Sequence, residues 1–352
     1  MACRVAVVAR QAGSATAFAP VVRALQEEVN VTCLVLGLEY ASRAFATAGT
    51  VAQTVTSFAE ALPYLVVAQP TVLITGTSFN AVGDGEFWHW AREMGIPSIA
   101  FVDNWTNYRE RFSSTPSRPF DCLPEHIAVV DALMASRLIA AGCPKERVTI
   151  IGHPGWDDLI RRRGHRATEL RYALAGDSTL ILFVSEPLAQ FYGDKLGYTE
   201  GKALRLLFDA LETLGESRNE SYTVAVKPHP VEDSAALTHL LGMASSRVRA
   251  RLVTGDRLDL VSASDLVVGM NSLLLHEAAL MGRPVVALQP GRRQPSDLVD
   301  HHPGILLATN PAQAITAITQ ALIGIASLIS APEPVIPQWI GMIQGIGGQG
   351  IR

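Results

Sequence analysis

At 352 residues the chain has room for two domains of ordinary size, and 48% hydrophobic with 18% charged residues fits a globular α/β protein with a large core. A net charge of −4 supplies no global attraction to nucleic acid or to an anionic membrane. The four cysteines, Cys3, Cys33, Cys122 and Cys143, contain no C-x-x-C pair, which argues against a zinc site and for a reducing compartment.

The opening "MACRVAVVARQAGSATAF" has an apolar run too short for the core of a signal peptide and reads as the first strand of a cytoplasmic fold. Short β-branched runs then alternate with helix-length segments. In the first half they are 4–9, 31–36, 71–75, 97–102, 126–130 and 147–151. In the second they are 180–184, 222–227, 249–254, 265–269, 284–288 and 304–308. Most are apolar throughout rather than alternating, as strands covered on both faces by helices must be. Strand–helix alternation predicts parallel sheets. The arginine-rich stretch 156–176 separates the two series. The expected layout is an N-terminal domain over 1–155, a hinge over 156–176, a C-terminal domain over 177–330 and a partly flexible tail over 331–352, loosest at "GIGGQGIR".

Ligands of such folds collect at the carboxyl ends of parallel strands, so the exits of the strands carry the chemistry. The first exit, "RQAGSATAFAPVVRAL" at 10–25, places Gly13 and Ser14 where a helix starts. Small residues there suit a phosphate at the helix N-terminus, or simply a strand–helix turn. In "AFVDNWTNYRERF" at 100–112, Asp103 leaves a buried strand as a general base or as a helix N-cap. Trp105 and Tyr108 beside it suit stacking on a sugar ring or a domain core. In "VTIIGHPGWDDLIRRRGHR", His153 stands in a tight turn at the hinge, Asp157 and Asp158 open a helix, and Arg161, Arg162, Arg163 and Arg166 contact a phosphate or form a solvated face.

The exit "AVKPHP" at 225–230 holds His229 between two prolines, which restrict the backbone and present the imidazole in one direction. Lys227 shares its strand parity. A cation with a donor imidazole makes a clamp for a departing phosphate, against the plainer reading of a loop histidine. In "ASDLVVGMNSLLLHEAALMGRPVVALQPG", Asn271 or Ser272 caps a helix whose free amides form an anion site. Glu277, about one turn further on, reaches a ribose diol or is an ordinary helix carboxylate. Ser185 and Glu186, after the strand at 180–184, are further nucleotide contacts.

Charge nearly vanishes after His301, with Glu333 alone before Arg352. The stretch 312–331 is long enough to span a bilayer, yet Gln313, Thr316 and Gln320 form a polar stripe at helical spacing, as on a packed or partner-facing helix. A homodimer contact, or peripheral association with the inner face of a membrane, are the roles open to this region.

Taken in order, "AFAPVVRAL", "VTIIGHPGWDDL", "AVKPHP" and "NSLLLHEAALMGRPVVAL" resemble segments of the GT-B superfamily, in particular non-hydrolysing UDP-N-acetylglucosamine 2-epimerases and bacterial capsule and lipopolysaccharide glycosyltransferases. The resemblance implies two Rossmann-like domains with parallel sheets facing across a cleft, the C-terminal one holding the nucleotide and the N-terminal one the acceptor. The epimerase pattern has an aspartate in a G-D-T run where this chain has "ITGTSFNA", with Thr77 in that place; Asp103 matches a second acidic residue only loosely. Sialyltransferase-like families are similar at "VDNWTNY", "KPHP" and "NSLLLHE". By that likeness Asp103 deprotonates an acceptor hydroxyl, His229 assists the leaving phosphate and Ser272 holds it.

The resulting expectation is a metal-independent glycosyltransferase, since no D-x-D run stands at a strand end. It needs no cofactor beyond a UDP- or CMP-type nucleotide-sugar donor, and takes a glycan, lipid-linked or small-molecule acceptor and no nucleic acid. A UDP-sugar 2-epimerase and a non-catalytic nucleotide-sugar-binding or scaffold protein are the alternatives.

Overall fold

A computed structural model describes residues 3–38, 40–79, 81–229, 231–324 and 333–349. The chain divides into two compact units. The first runs to Asp158 and takes back the C-terminal segment; the second begins at Leu159 and includes the helix Pro311–Leu322.

The first unit is built on seven parallel strands: β1 (Cys3–Ala9), β2 (Val31–Leu38), β3 (Gln53–Val55), β4 (Val72–Thr75), β5 (Ser98–Val102), β6 (His126–Val129) and β7 (Val148–Ile150), in the order β3-β2-β1-β4-β5-β6-β7. Val5 of β1 lies between Cys33 of β2 and Val72 of β4. The second unit repeats the plan with β8 (Thr179–Val184), β9 (Tyr222–Lys227), β10 (Val248–Leu252), β11 (Leu266–Gly269), β12 (Val285–Leu288) and β13 (Ile305–Ala308), in the order β10-β9-β8-β11-β12-β13. Val267 of β11 pairs with Leu182 of β8 and Val285 of β12. Each order reverses once, between β1 and β4 and between β8 and β11. At such a switch point neighbouring crossovers leave on opposite faces and open a crevice beyond the carboxyl ends.

All twelve apolar runs expected as strands are strands. The addition is β3, three edge residues of which only Val55 is buried, too short and polar to carry a pattern.

The helices form for local reasons. Glu200–Arg218 starts where the Thr199 hydroxyl accepts the Lys202 amide and stops at Asn219 in the left-handed region. Leu204, Leu207, Phe208, Leu211 and Leu214 fall on one stripe and enter the second unit's core with Phe183, Val224 and Val226.

The C-terminal segment contributes a helix. Residues Ile336–Gln349 form a helix in the first unit, and the remainder of the tip, 350–352, lies outside the described residues. Trp339 is fully buried, its ring 5.3 Å from Phe101 and 6.0 Å from Phe18, and its indole N–H donates to the Gly152 carbonyl. Asp157 stands in the first turn of the helix Trp156–Arg161, as expected, and its carboxylate also accepts the amides of Val335 (2.8 Å) and Ile336 (3.0 Å), where free donors start the terminal helix. Gly152 has φ +88°, and a Cβ there would lie 2.7 Å from a Val335 methyl, so the turn admits glycine alone.

The expected hinge 156–176 holds two helices, Trp156–Arg161 and Thr168–Ala175. Its arginines are largely exposed and also bonded within the second unit: Arg162 pairs with Asp259, Arg163 donates to the Leu280 carbonyl, and Arg166 pairs with Asp265. The polar-striped segment forms the helix Pro311–Leu322, with 325–332 outside the described residues. Among the described residues no helix is long and apolar enough to cross a membrane.

Candidate functional site

The richest cluster gathers at the β8/β11 switch point of the second unit. Glu186, just past β8, accepts the backbone N–H of Asn271, just past β11, at 2.8 Å. Ser185 donates its hydroxyl to Glu232 Oε1 at 2.6 Å, and Glu232 Oε2 accepts the backbone N–H of His229 at 2.9 Å. The exits of β8, β9 and β11 therefore form one hydrogen-bonded structure. Sequence reasoning missed Glu232: it follows "KPHP" in an unpatterned loop, and its two bonds reveal it.

His229 is exposed, and its Nδ1 accepts the Val231 amide at 3.4 Å. The proton of the neutral ring then sits on Nε2, as a donor. Partial burial and the neighbouring Lys227 both lower its pKa below the usual histidine value, so the neutral ring dominates at pH 7. Lys227 is half-buried and its own pKa is lowered, first by burial and then by Arg257.

Ser272 is the N-cap of the helix Leu273–Leu280, its Oγ accepting the Leu274 amide at 3.3 Å. The Asn271 side chain is bonded to the Ser296 hydroxyl, and Gln289 Nε2 ties the Met270 carbonyl to the exit of β12. Gly269 lets the end of β11 lie close to β8: a Cβ would come within 3.2 Å of the Val184 carbonyl oxygen. Glu277 departs from the free carboxylate expected for a ribose: both of its oxygens are held by Arg257, at 3.0 Å each. Arg257 sits in "DRLD" at 256–259, a stretch whose sequence marked no site.

Three carboxylates, Glu186, Glu232 and Glu200, lie near one another here. Desolvation, with Glu232 and Glu200 adding to it against the Asn271 amide, pushes the Glu186 pKa up to about 7. Burial likewise raises that of Glu232.

In the first unit, the exits of β1, β4 and β5 meet around Asp103. Asp103 caps no helix; its Oδ1 faces Arg111 Nη1 at 3.3 Å. Gly13 lies in the first turn of the helix Ala12–Glu27, and a Cβ there would stand 3.0 Å from Asp103 Oδ2. Ser14, next to it, is buried and packs on Gly76. Thr77 accepts from Arg111 at 2.8 Å and donates to the Phe101 carbonyl at 2.9 Å. Asp84, unnoticed in the sequence, is buried and accepts the Ser78 amide at 2.7 Å; desolvation raises its pKa to about 6.

Trp105 and His153 are core residues. Trp105 is 4% exposed, donates to Asp131 at 2.9 Å and stacks on Trp156, which stacks in turn on His153 at 5.3 Å. His153 is buried, its Nδ1 accepting the Gly155 amide. Tyr108 is partly buried. Apolar surface beside a sheet is what aromatic rings fill first.

No family model matches the chain, and no curated protein matches it. Solved structures do. A UDP-GlcNAc 2-epimerase from Methanocaldococcus jannaschii superposes with a TM-score of 0.71 at 10% identity, over 97% of this chain and 99% of that one. The Neisseria meningitidis UDP-GlcNAc 2-epimerase bound to UDP-GlcNAc gives 0.66 at 13% identity, over 97% and 99%. The chain has the GT-B fold. A third GT-B structure, Anabaena HepE in complex with UDP and glucose, gives 0.59 at 15% identity, over 99% and 98%.

Proposed function

We propose that the chain is a GT-B glycosyltransferase that uses a nucleotide-sugar donor and needs no metal. The observation that carries this reading is the joining of the His229 loop to the Asn271–Ser272 turn through Ser185, Glu186 and Glu232. One phosphorylated ligand at that switch point meets the Nε2 donor of His229, the ammonium of Lys227 and the free amides of the helix behind Ser272. UDP in the similar HepE and UDP-GlcNAc in the Neisseria epimerase support a uridine nucleotide.

In the proposed reaction an acceptor hydroxyl oxygen bonds to the anomeric carbon of the donor sugar. The bond from that carbon to the nucleotide phosphate breaks, and its electron pair stays on the phosphate. His229 and Lys227 stabilise that charge, and Asp103 takes the acceptor proton. The acceptor is a glycan, a lipid-linked sugar or a small molecule.

Thermal unfolding with UDP, CMP, CDP and GDP tests the donor class, because a ligand bound only to the folded state stabilises it in proportion to its occupancy. A shift with one nucleotide supports the reading, and no shift with any of them sinks it.

A second reading, epimerisation of a UDP-sugar, draws on the two epimerases above and on Asp84, a carboxyl poised to exchange a proton near neutrality. Deuterium from heavy water entering a UDP-sugar without acceptor would select it; its absence while transfer proceeds selects the first.

A further inference from the structure

The opposite edge of the second sheet, where strands begin, carries a cavity of about 640 Å³. It lies beside the starts of β8, β11 and β12, marked by Thr179, Asp265 and Pro284. Four guanidiniums line it, from Arg166, Arg171, Arg218 and Arg283, against two carboxylates, Asp265 and Glu220, which leaves an excess of two positive charges (4 − 2).

The pairing inside the cavity is uneven. Asp265 is saturated: Oδ1 accepts from Arg166 and Arg171, and Oδ2 from Arg171 and the Leu180 amide. Glu220 accepts the Tyr222 hydroxyl. Arg283 is only 5% exposed, and Nη2 donates to the His165 carbonyl. Among the described residues its Nε has no partner, and none of its nitrogens bonds a carboxylate. Among the same residues Arg218 donates to the Thr319 hydroxyl alone, at 3.3 Å. A buried cation with no carboxylate in bonding contact is costly, and burial together with Arg166, against the pull of Asp265, already weakens the hold of Arg283 on its proton.

We infer that this cavity binds a phosphate-class dianion carried on a partly apolar body, held by Arg283 and Arg218. Two uncompensated guanidiniums match the two charges of a phosphate monoester, and their forked donors match its oxygens. The cavity falls within the usual size of small-molecule sites, and Leu322, Ile323 and Pro284 supply an apolar wall. A soluble phosphate monoester and a lipid phosphate headgroup share this chemistry.

The test is calorimetric titration of the whole protein with phenyl phosphate and with inorganic phosphate, alongside sedimentation with phosphatidylcholine vesicles doped with phosphatidic acid. Binding of phenyl phosphate in solution marks a soluble ligand, and vesicle retention without it marks a headgroup. In either case Arg218→Glu and Arg283→Gln weaken binding about tenfold or more. Arg218 is exposed and bonded to one hydroxyl, so its variant decides the matter even if Arg283→Gln does not fold. Unchanged affinity in Arg218→Glu, or no binding of any of these probes, overturns the proposal.

Discussion

Arg257 and Glu277 are locked together by two hydrogen bonds of 3.0 Å, with the glutamate nearly buried and the arginine partly open. A carboxylate this committed is first a structural partner. Glu277→Ala leaves the guanidinium beside Lys227 without its counter-ion and should cost about 2 kcal/mol of stability, as should Arg257→Ala. The double variant should lose clearly less than the sum, because the second change removes a charge already stranded. Urea unfolding of the four proteins measures this, and strict additivity would deny the coupling.

Glu186 gives stability a pH dependence whose sign follows from its raised pKa. Between the ordinary value of 4.5 and about 7 the folded state holds the proton more tightly than the unfolded one. Stability from this group therefore falls as pH rises through that window, on the order of 3 kcal/mol in all. Asp84, raised to about 6, acts in the same direction. His302, depressed by burial to about 4, acts oppositely: its contribution is lost as pH falls from 6.5 toward 4. Glu186→Gln keeps an acceptor for the Asn271 amide and should make the protein more stable at pH 8, and its stability should rise more steeply between pH 4.5 and 6.5. Equal unfolding midpoints for variant and parent at pH 8 would refute it.

His229→Ala should lower transfer by about a hundredfold or more while nucleotide binding persists. Glu232→Ala frees the His229 amide and the Ser185 hydroxyl together, so it should reduce the turnover number more than it weakens the nucleotide. Steady-state kinetics beside a nucleotide titration separates these effects. Full activity in His229→Ala removes the leaving-group role.

Trp339→Ala should destabilise the first unit by about 3–5 kcal/mol, since the ring is fully buried against Phe18 and Phe101. Asp157→Asn should weaken the same attachment by about 1 kcal/mol, because a neutral amide accepts more weakly from Val335 and Ile336. Calorimetry reads both. A midpoint unchanged in Trp339→Ala would show that the terminal helix adds nothing to the unit.

The candidate site was legible wherever a strand announced its own exit. Gly13, Asp103, Ser185, Lys227, His229 and Asn271 all stand at or shortly past the ends of apolar runs, and the strand exits gather them. Glu232, Arg257, Asp84 and Arg111 were not legible. Each owes its place to a partner distant in sequence or to a loop without periodicity, and no local pattern encodes such a meeting. For Trp105 the sequence left a sugar platform and a core both open, because its composition suits either, and the stacking on Trp156 places it in the core.

By itself the order of residues determined the two α/β halves, the parallel strands and the strand ends where chemistry collects, because apolar periodicity and proline or glycine punctuation act over a few neighbouring positions. Only the tertiary structure decided which carboxylates are spent on arginines, which are held near neutrality by desolvation, and which guanidiniums remain without a counter-ion. Those properties depend on distances and solvent exclusion between segments far apart in the chain, and such quantities exist only once the chain has folded.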